Sequence, residues 1–178
     1  ELKEDGHLHL SVTKTFSSKG THKLVDNINR ELENHFKSNG LVNKEDSFER
    51  ILFNQFVNSD RFLFFMKFLD TIDFLEFDKV ENISVSPDPN EELPEGAKEF
   101  LKNIENLNLK GKVLREHVLL SNNEYRNCVL LHSMIVKYKF KHAQGDGYCS
   151  VEFAFPDFKL DNTDNLEFQF LHIYQLQF

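Results

Sequence analysis

A stretch rich in phenylalanine, from Phe48 to Phe77, constrains the fold more than any other part of this chain. It holds nine of the 19 Phe residues, and residues 62–69 are apolar on every side except at Lys67. A helix that is apolar all round has to be buried from several directions or covered by a partner. These eight residues would span roughly 12 Å as a helix, against the ~30 Å of a bilayer core. The stretch therefore predicts a core helix that does not cross a membrane.

The same helix is also the candidate partner-binding surface, because large apolar patches that stay exposed mark interfaces. The side chains singled out for this role are Phe62, Phe64, Phe65 and Phe68. The two interpretations differ in whether the chain itself covers these rings.

Length and composition favour a soluble protein with a single domain over residues 1–178, since this length suffices to bury a sizeable core. A net charge of -8 disfavours nucleic acid as a partner, because non-specific affinity for it comes from Lys and Arg. With only two cysteines, Cys128 and Cys149, we expect a reducing, cytoplasmic location. The chain starts at Glu1 without an apolar leader, and we interpret it as a piece of a longer protein.

Helical patterns come first in the chain and strand patterns come later. Alternating apolar residues predict a strand over 7–16, and Leu24, Ile28, Leu32 and Phe36 predict a helix from about 21 to 38 that ends at Gly40. Further helices are predicted over 46–56, over about 60–71 and after Pro94; further strands are predicted over 74–85, 113–120, 128–141 and 166–178. This order indicates an α+β fold, with a mostly antiparallel sheet of about five to seven strands and about four helices packed on one face.

The loop of one hairpin can be predicted from the requirement that apolar residues of its two strands lie on the same face of the sheet. We call this requirement the parity of the strands. If Gly145 and Asp146 form a two-residue loop, Tyr138 faces Phe153 and Lys139 faces Glu152, so apolar residues meet apolar ones. A loop one residue longer would put the apolar and charged faces out of phase.

The histidines near the start of the chain give the sharpest catalytic hypothesis. Residues two apart on a strand point the same way, so His7 and His9 could converge on one metal ion. The sequence DGHLHL resembles the DxHxH opening strand of the amidohydrolases and related metal-dependent hydrolases, with Asp5, His7 and His9 matching. That resemblance implies hydrolysis with Zn or Mn.

A second resemblance starts from the same strand. His9-Leu10-Ser11-Val12 is similar to one copy of the His-x-Ser/Thr-apolar motif of the 2H phosphoesterases, which implies catalytic roles for His9 and Ser11. That family carries the motif twice, because its chemistry needs both an acid and a base. Here no second copy exists: the residues two positions after His117, His132, His142 and His172 are Leu119, Met134, Gln144 and Tyr174.

Two weaker sites involve anions. The run Ser18-Lys19-Gly20-Thr21 leads into a helix N-terminus, where free N–H groups favour an anion, although it lacks the spacing of a P-loop. Lys137, Lys139 and Lys141 alternate along a predicted strand and could follow a nucleic-acid backbone, with Glu152 expected to neutralise Lys139.

The leading hypothesis is a non-catalytic binding or protein-interaction module, without a cofactor, that docks through the Phe-rich helix or an exposed sheet edge. Its partner would be another protein or another domain of the same chain; a membrane is not expected, and nucleic acid is disfavoured as a partner. The alternatives are the metal-dependent hydrolase or phosphoesterase and, third, nucleic-acid binding through the lysine row. Whether the chain is an enzyme is left open, with the weight against it.

Overall fold

A computed structural model describes residues 19–70, 72, 75–142, 145–164 and 166–177. The chain divides into two compact units, Glu1–Glu49 and Arg50–Phe178. Each unit is considered by itself, and the single domain expected from length stays a prediction. The predicted strand over 7–16 lies outside the described residues.

The first unit contains helix α1, Lys19–Ser38, which agrees with the helix predicted for this region. Its end is fixed by Gly40, whose φ of 67° suits glycine. The N–H groups of Gly40 and Leu41 donate to the carbonyls of Lys37 and Phe36 at 3.2 and 3.0 Å. This pair of bonds is a Schellman motif, which satisfies carbonyl groups left open where a helix stops.

The second unit is built on a five-stranded sheet in the order β2-β1-β3-β4-β5, and all of its pairings are antiparallel. The strands are β1 Leu75–Pro87, β2 Leu107–Lys110, β3 Val129–His142, β4 Gly145–Ala154 and β5 Gln169–Gln177. The helices are α2 Asn58–Lys67, α3 Glu95–Leu101, α4 Val118–Ser121 and α5 Asn123–Asn127. The predicted α+β fold with a mostly antiparallel sheet is confirmed.

One face of this sheet is apolar and carries the core. Val80, Ile83, Met134 and Val136 lie on it, and α2, α3 and α4 add buried side chains to the same cluster. The helix α2 is tied to the sheet by Tyr138 on β3, whose hydroxyl donates to the Phe68 carbonyl at 2.6 Å. Burial raises the pKa of the Tyr138 phenol, which keeps it protonated as a donor. The Phe-rich helix therefore lies across the apolar side of the sheet.

The β3–β4 hairpin keeps the predicted parity but not the predicted loop. His142 pairs with Gly145, so Gly145 and Asp146 belong to β4 and not to the loop. Tyr138 consequently faces Cys149, and Lys139 faces Tyr148. Both registers place apolar residues opposite each other, and parity alone does not separate registers that differ by an even number.

Two predicted elements are wrong. Residues 46–52 form no helix, because Leu52 makes a β-bridge with Glu167 and only a 3₁₀ turn, Phe53–Gln55, follows. The predicted strand over 113–120 is a 3₁₀ turn, Leu114–Glu116, followed by α4, whose first turn is capped by the His117 side chain. In the segment 113–120 the apolar residues reach the core from helical turns. The segment is too short for the spacing of its apolar residues to distinguish a helix from a strand.

Candidate interaction surface

The four phenylalanines proposed to bind a partner fall into two groups. The rings of Phe62 and Phe65 are fully buried, because the helical spacing of α2 places them with Leu69 on the stripe that faces the sheet. Phe64 and Phe68 lie on the flank of the helix and are half-buried. In this fold Phe62 and Phe65 belong to the core, so only Phe64 and Phe68 offer surface to a partner.

Phe68 connects the helix to the last two strands through aromatic contacts. Its ring stacks on Phe153 with centroids 4.7 Å apart and on Phe168 with centroids 5.4 Å apart. Phe64 meets Phe168 edge to face at 4.8 Å. Offset and edge-to-face geometries are the favoured arrangements of aromatic pairs, so these rings pack closely on one another.

Phe170 is the most exposed member of this cluster, with 63% of its surface accessible. It lies on β5, the last strand in the sheet order. Its ring packs against Phe153, Phe168 and Phe68 at centroid distances of 5.4, 5.5 and 5.7 Å. We call the surface formed by Phe64, Phe68, Phe168 and Phe170 the aromatic edge.

The lysine row lies on the opposite, polar face of the sheet and is interleaved with acids. Lys139 is 3.8 Å from Glu76 and 3.6 Å from Asp78, and the Lys137 ammonium lies 4.4 Å from the centroid of the Tyr148 ring. Lys141 is exposed.

Glu152 does not neutralise Lys139 as expected, because it lies opposite Ile135 and accepts a hydrogen bond from Ser133 at 2.6 Å. Glu76 and Asp78 take that place, and they lower the positive potential that a phosphate backbone would need. Nucleic-acid binding stays a prediction.

The catalytic and metal candidates His7, His9 and Ser11 lie outside the described residues, as does Ser18 of the anion site. Lys19, Gly20 and Thr21 form the first turn of α1. Within the described part of the chain, no group of three or more His, Cys, Asp or Glu side chains is arranged to hold a metal ion. The hydrolase alternative, with Zn or Mn, therefore stays untested.

Both cysteines are buried and free. Burial raises the pKa of the Cys128 and Cys149 thiols, which disfavours the reactive thiolate. Neither is placed as a nucleophile.

Three polar residues outside the predicted sites are brought together next to the core. Arg61 is only 2% exposed, and its guanidinium lies 3.6 Å from the centroid of the Phe53 ring. His132 is buried and stacks on Phe158, with centroids 4.4 Å apart. Burial lowers the pKa of His132 to about 4, and the positive charge of Arg61 adds to this. The negative charge of Asp88, in the loop after β1, raises the pKa of Arg61 and so opposes the effect of burial.

The helical spacing of the sequence indicates that Arg61 is buried. Position 61 precedes Phe65 by four residues, so a helix places both side chains on the buried stripe. Asp88 gave no such sign, because it lies in an acidic loop that resembles an ordinary solvated turn.

Comparisons with protein-family models, with curated proteins and with solved structures found no match to this chain. Among the described residues, no helix is both long enough and apolar enough to cross a membrane.

Proposed function

We propose that this chain is a non-catalytic protein-interaction module that binds an extended segment of another protein along the outer edge of β5. The observation that carries the proposal is Phe170, a large ring that is 63% exposed on the last strand of the sheet. An exposed aromatic ring that packs against the other rings of the aromatic edge has the properties of an interface hot spot.

The sequence of β5 supports the same proposal. Its nine residues, QFLHIYQLQ, include no Asp, Glu, Lys, Arg or Pro. Edge strands that avoid pairing with other chains use charged side chains or proline as guards. An unguarded edge of this length is suited to strand addition, in which main-chain hydrogen bonds give affinity and side-chain contacts give specificity.

The partner segment would be extended, with apolar residues at alternate positions, so that one of them covers Phe170. Fully burying a Phe side chain contributes about 1.5–3 kcal/mol. Because each 1.4 kcal/mol changes Kd about tenfold, the loss of this contact should weaken binding by roughly ten- to a hundredfold.

The test selects peptides from a random displayed library against the whole chain and then measures their Kd in solution. We expect the selected peptides to alternate apolar and polar residues, to slow amide hydrogen exchange in β5, and to bind Phe170→Lys at least about tenfold more weakly. Val113→Lys is the matched control, because Val113 is also largely exposed but follows β2 at the opposite edge of the sheet.

The proposal fails if the library yields no peptide that protects β5. It also fails if the selected peptides bind Phe170→Lys as tightly as they bind the unmodified chain, or if Val113→Lys weakens them equally.

A further inference from the structure

A cavity of about 310 Å³ lies in the second unit, away from the lysine row, where α2 begins near the loop that follows β1. The apolar part of its wall is formed by Phe53, Phe56, Pro89, Leu130 and Leu160. Its polar lining consists of Asn54, Asn58, Arg61, Asp88, Asn90 and Thr163. One cation and one anion therefore share the wall of a cavity that also has an apolar part.

Arg61 supplies the positive charge, and its hydrogen bonds are incomplete. One terminal nitrogen donates to the carbonyls of Phe53 and Phe56 at 3.2 and 2.9 Å, and the other donates to the Asn58 side chain at 3.2 Å. Among the remaining donors, Nε is buried without a partner in the described part of the chain. A buried cation held by neutral acceptors has paid a desolvation cost that a close anion would offset.

The N-terminus of α2 adds to this positive region. The helix is ten residues long, and its N-cap, Val57, has no side chain that accepts a hydrogen bond from the first turn. The free N–H groups at such a helix start favour a negative group. Asp60 stands in the same turn but is exposed to solvent.

Asp88 supplies the negative charge and is held in place by amide groups. One of its oxygens accepts from the Asn58 side chain at 2.7 Å. The other accepts from the backbone and side chain of Asn90 at 2.9 and 3.2 Å. A carboxylate oxygen has room for a further donor, so a ligand ammonium group could still bind Asp88.

We propose that this cavity binds a small zwitterion of the α-amino-acid type with an apolar side chain. The ligand carboxylate would face Arg61 and the start of α2, its ammonium group would face Asp88, and its hydrocarbon part would lie against the apolar wall. A simple anion would be repelled by Asp88, and a simple cation would be repelled by Arg61. A ligand with both charges satisfies each of them.

Three probes that share the same branched alkyl group test this proposal on the whole chain. They are L-leucine, 3-methylbutanoate, which lacks the ammonium group, and 3-methylbutylamine, which lacks the carboxylate. Binding is measured at pH 7 by calorimetry and by NMR. The NMR signals followed are those of the Arg61 guanidinium and the His132 ring. We expect leucine to saturate the site with a Kd of about 1 mM or lower, and each single-charge probe to bind at least about tenfold more weakly.

The variant Asp88→Asn should remove the preference for leucine over 3-methylbutanoate. Asp146→Asn is its matched control, because Asp146 is an exposed acid in the β3–β4 hairpin, and it should leave the preference unchanged. The proposal is overturned if leucine does not bind, if the three probes bind the unmodified chain equally, or if Asp88→Asn keeps the preference. The comparison of the three probes uses the unmodified chain, so it tests the proposal even if Asp88→Asn does not fold.

Discussion

Arg61 shows how a single side chain can hold the backbone of its surroundings. Its guanidinium donates to two carbonyl groups, Phe53 and Phe56, at the ends of the 3₁₀ turn that leads into α2. Burial lowers its pKa to about 10, which still leaves it charged at neutral pH. If Arg61 were removed, both carbonyls would lose a charged donor, and the Phe53 carbonyl would keep only the long bond from the Phe56 N–H at 3.4 Å.

We expect Arg61→Met to lower the free energy of unfolding by about 2–4 kcal/mol, because the Phe53 and Phe56 carbonyls would each lose a charged hydrogen-bond donor. Arg115→Met should cost less than about 1 kcal/mol, since Arg115 makes a half-exposed ion pair with Asp70 at 3.4 Å. Urea denaturation of both variants at pH 7 checks this difference. Equal losses would contradict the structural role given to Arg61.

The sequence indicated that Arg61 falls on the buried stripe of a helix, but not what it binds there. Arg is almost never fully buried unless it is paired, and no acidic residue lies at helical spacing to suggest a pair on the stripe. Its partners are backbone carbonyls, which every residue carries and which no sequence pattern displays. The placement of Arg61 could be predicted, whereas its hydrogen bonds depend on the tertiary fold.

His132 predicts a dependence of stability on pH. Its folded pKa of about 4 lies below the ordinary value of about 6.5, so between these pH values the unfolded chain binds more protons. The stability that His132 contributes is therefore complete above pH 6.5 and is lost as the pH falls from 6.5 through 4. The shift corresponds to about 3 kcal/mol at most.

The comparison of His132→Phe with the unmodified chain checks this sign. The variant keeps a ring to stack on Phe158 and removes the titrating group, so its free energy of unfolding should change less between pH 8 and pH 5. All other ionisable groups are common to the two proteins, so their contributions cancel in the comparison. An unchanged difference between the two pH values would show that His132 does not titrate as expected.

At the scale of elements, the β3–β4 hairpin shows that alternation of apolar and polar residues predicts the apolar face of a strand but not the register of its pairing. Alternation of Val136, Tyr138 and Phe140 with lysines determines which face is apolar. It does not determine the register, because a shift by an even number of residues keeps every side chain on its face. The position of the loop decides between registers. The predicted loop at Gly145 and Asp146 is wrong, because β4 begins at Gly145.

Disulfide trapping distinguishes the two registers. Lys139 and Tyr148 are directly opposite, so their Cα atoms should be about 4.5–5.5 Å apart, within the range that a disulfide spans. We expect the Lys139→Cys/Tyr148→Cys variant to form a disulfide readily under mild oxidation. Lys139→Cys/Glu152→Cys should not, because four residues along a strand add about 13 Å. The reverse result would restore the register expected from the loop residues.

Two short elements show why the remaining elements were missed. The strand β2 has four residues, too few for a reliable alternation, and it exists because it pairs with β1. The extended segment at Leu52 is likewise set by its bridge to Glu167, more than a hundred residues later. Tertiary pairing determines both elements, whereas the long strands β1 and β3 carry their own pattern.

At the scale of the whole molecule, the core belongs to the second unit. Every fully buried apolar side chain in the described part of the chain lies between Phe53 and Phe155. The described side chains of the first unit are at most half-buried, and Leu24 and Ile28 on α1 are exposed.

We therefore expect the fragment of residues 50–178 to fold alone and to keep its free energy of unfolding within about 1 kcal/mol of the full chain, since surface changes away from the core cost little. A fragment of residues 75–178 lacks α2 and its core rings and should not fold. Urea unfolding followed by circular dichroism checks both fragments. An unfolded 50–178 fragment would show that the first unit is required, as a single domain would predict.

The contacts of Phe68 also determine when this protein can be completed in the cell. Phe68 stacks on Phe153 and Phe168, which come 85 and 100 residues later in the chain. A ribosome adds roughly 5–20 residues per second, so α2 is synthesised on the order of ten seconds before these rings. During translation the Phe68 ring therefore lacks these partners, and we expect the nascent chain at this stage to bind chaperones that recognise exposed aromatic segments.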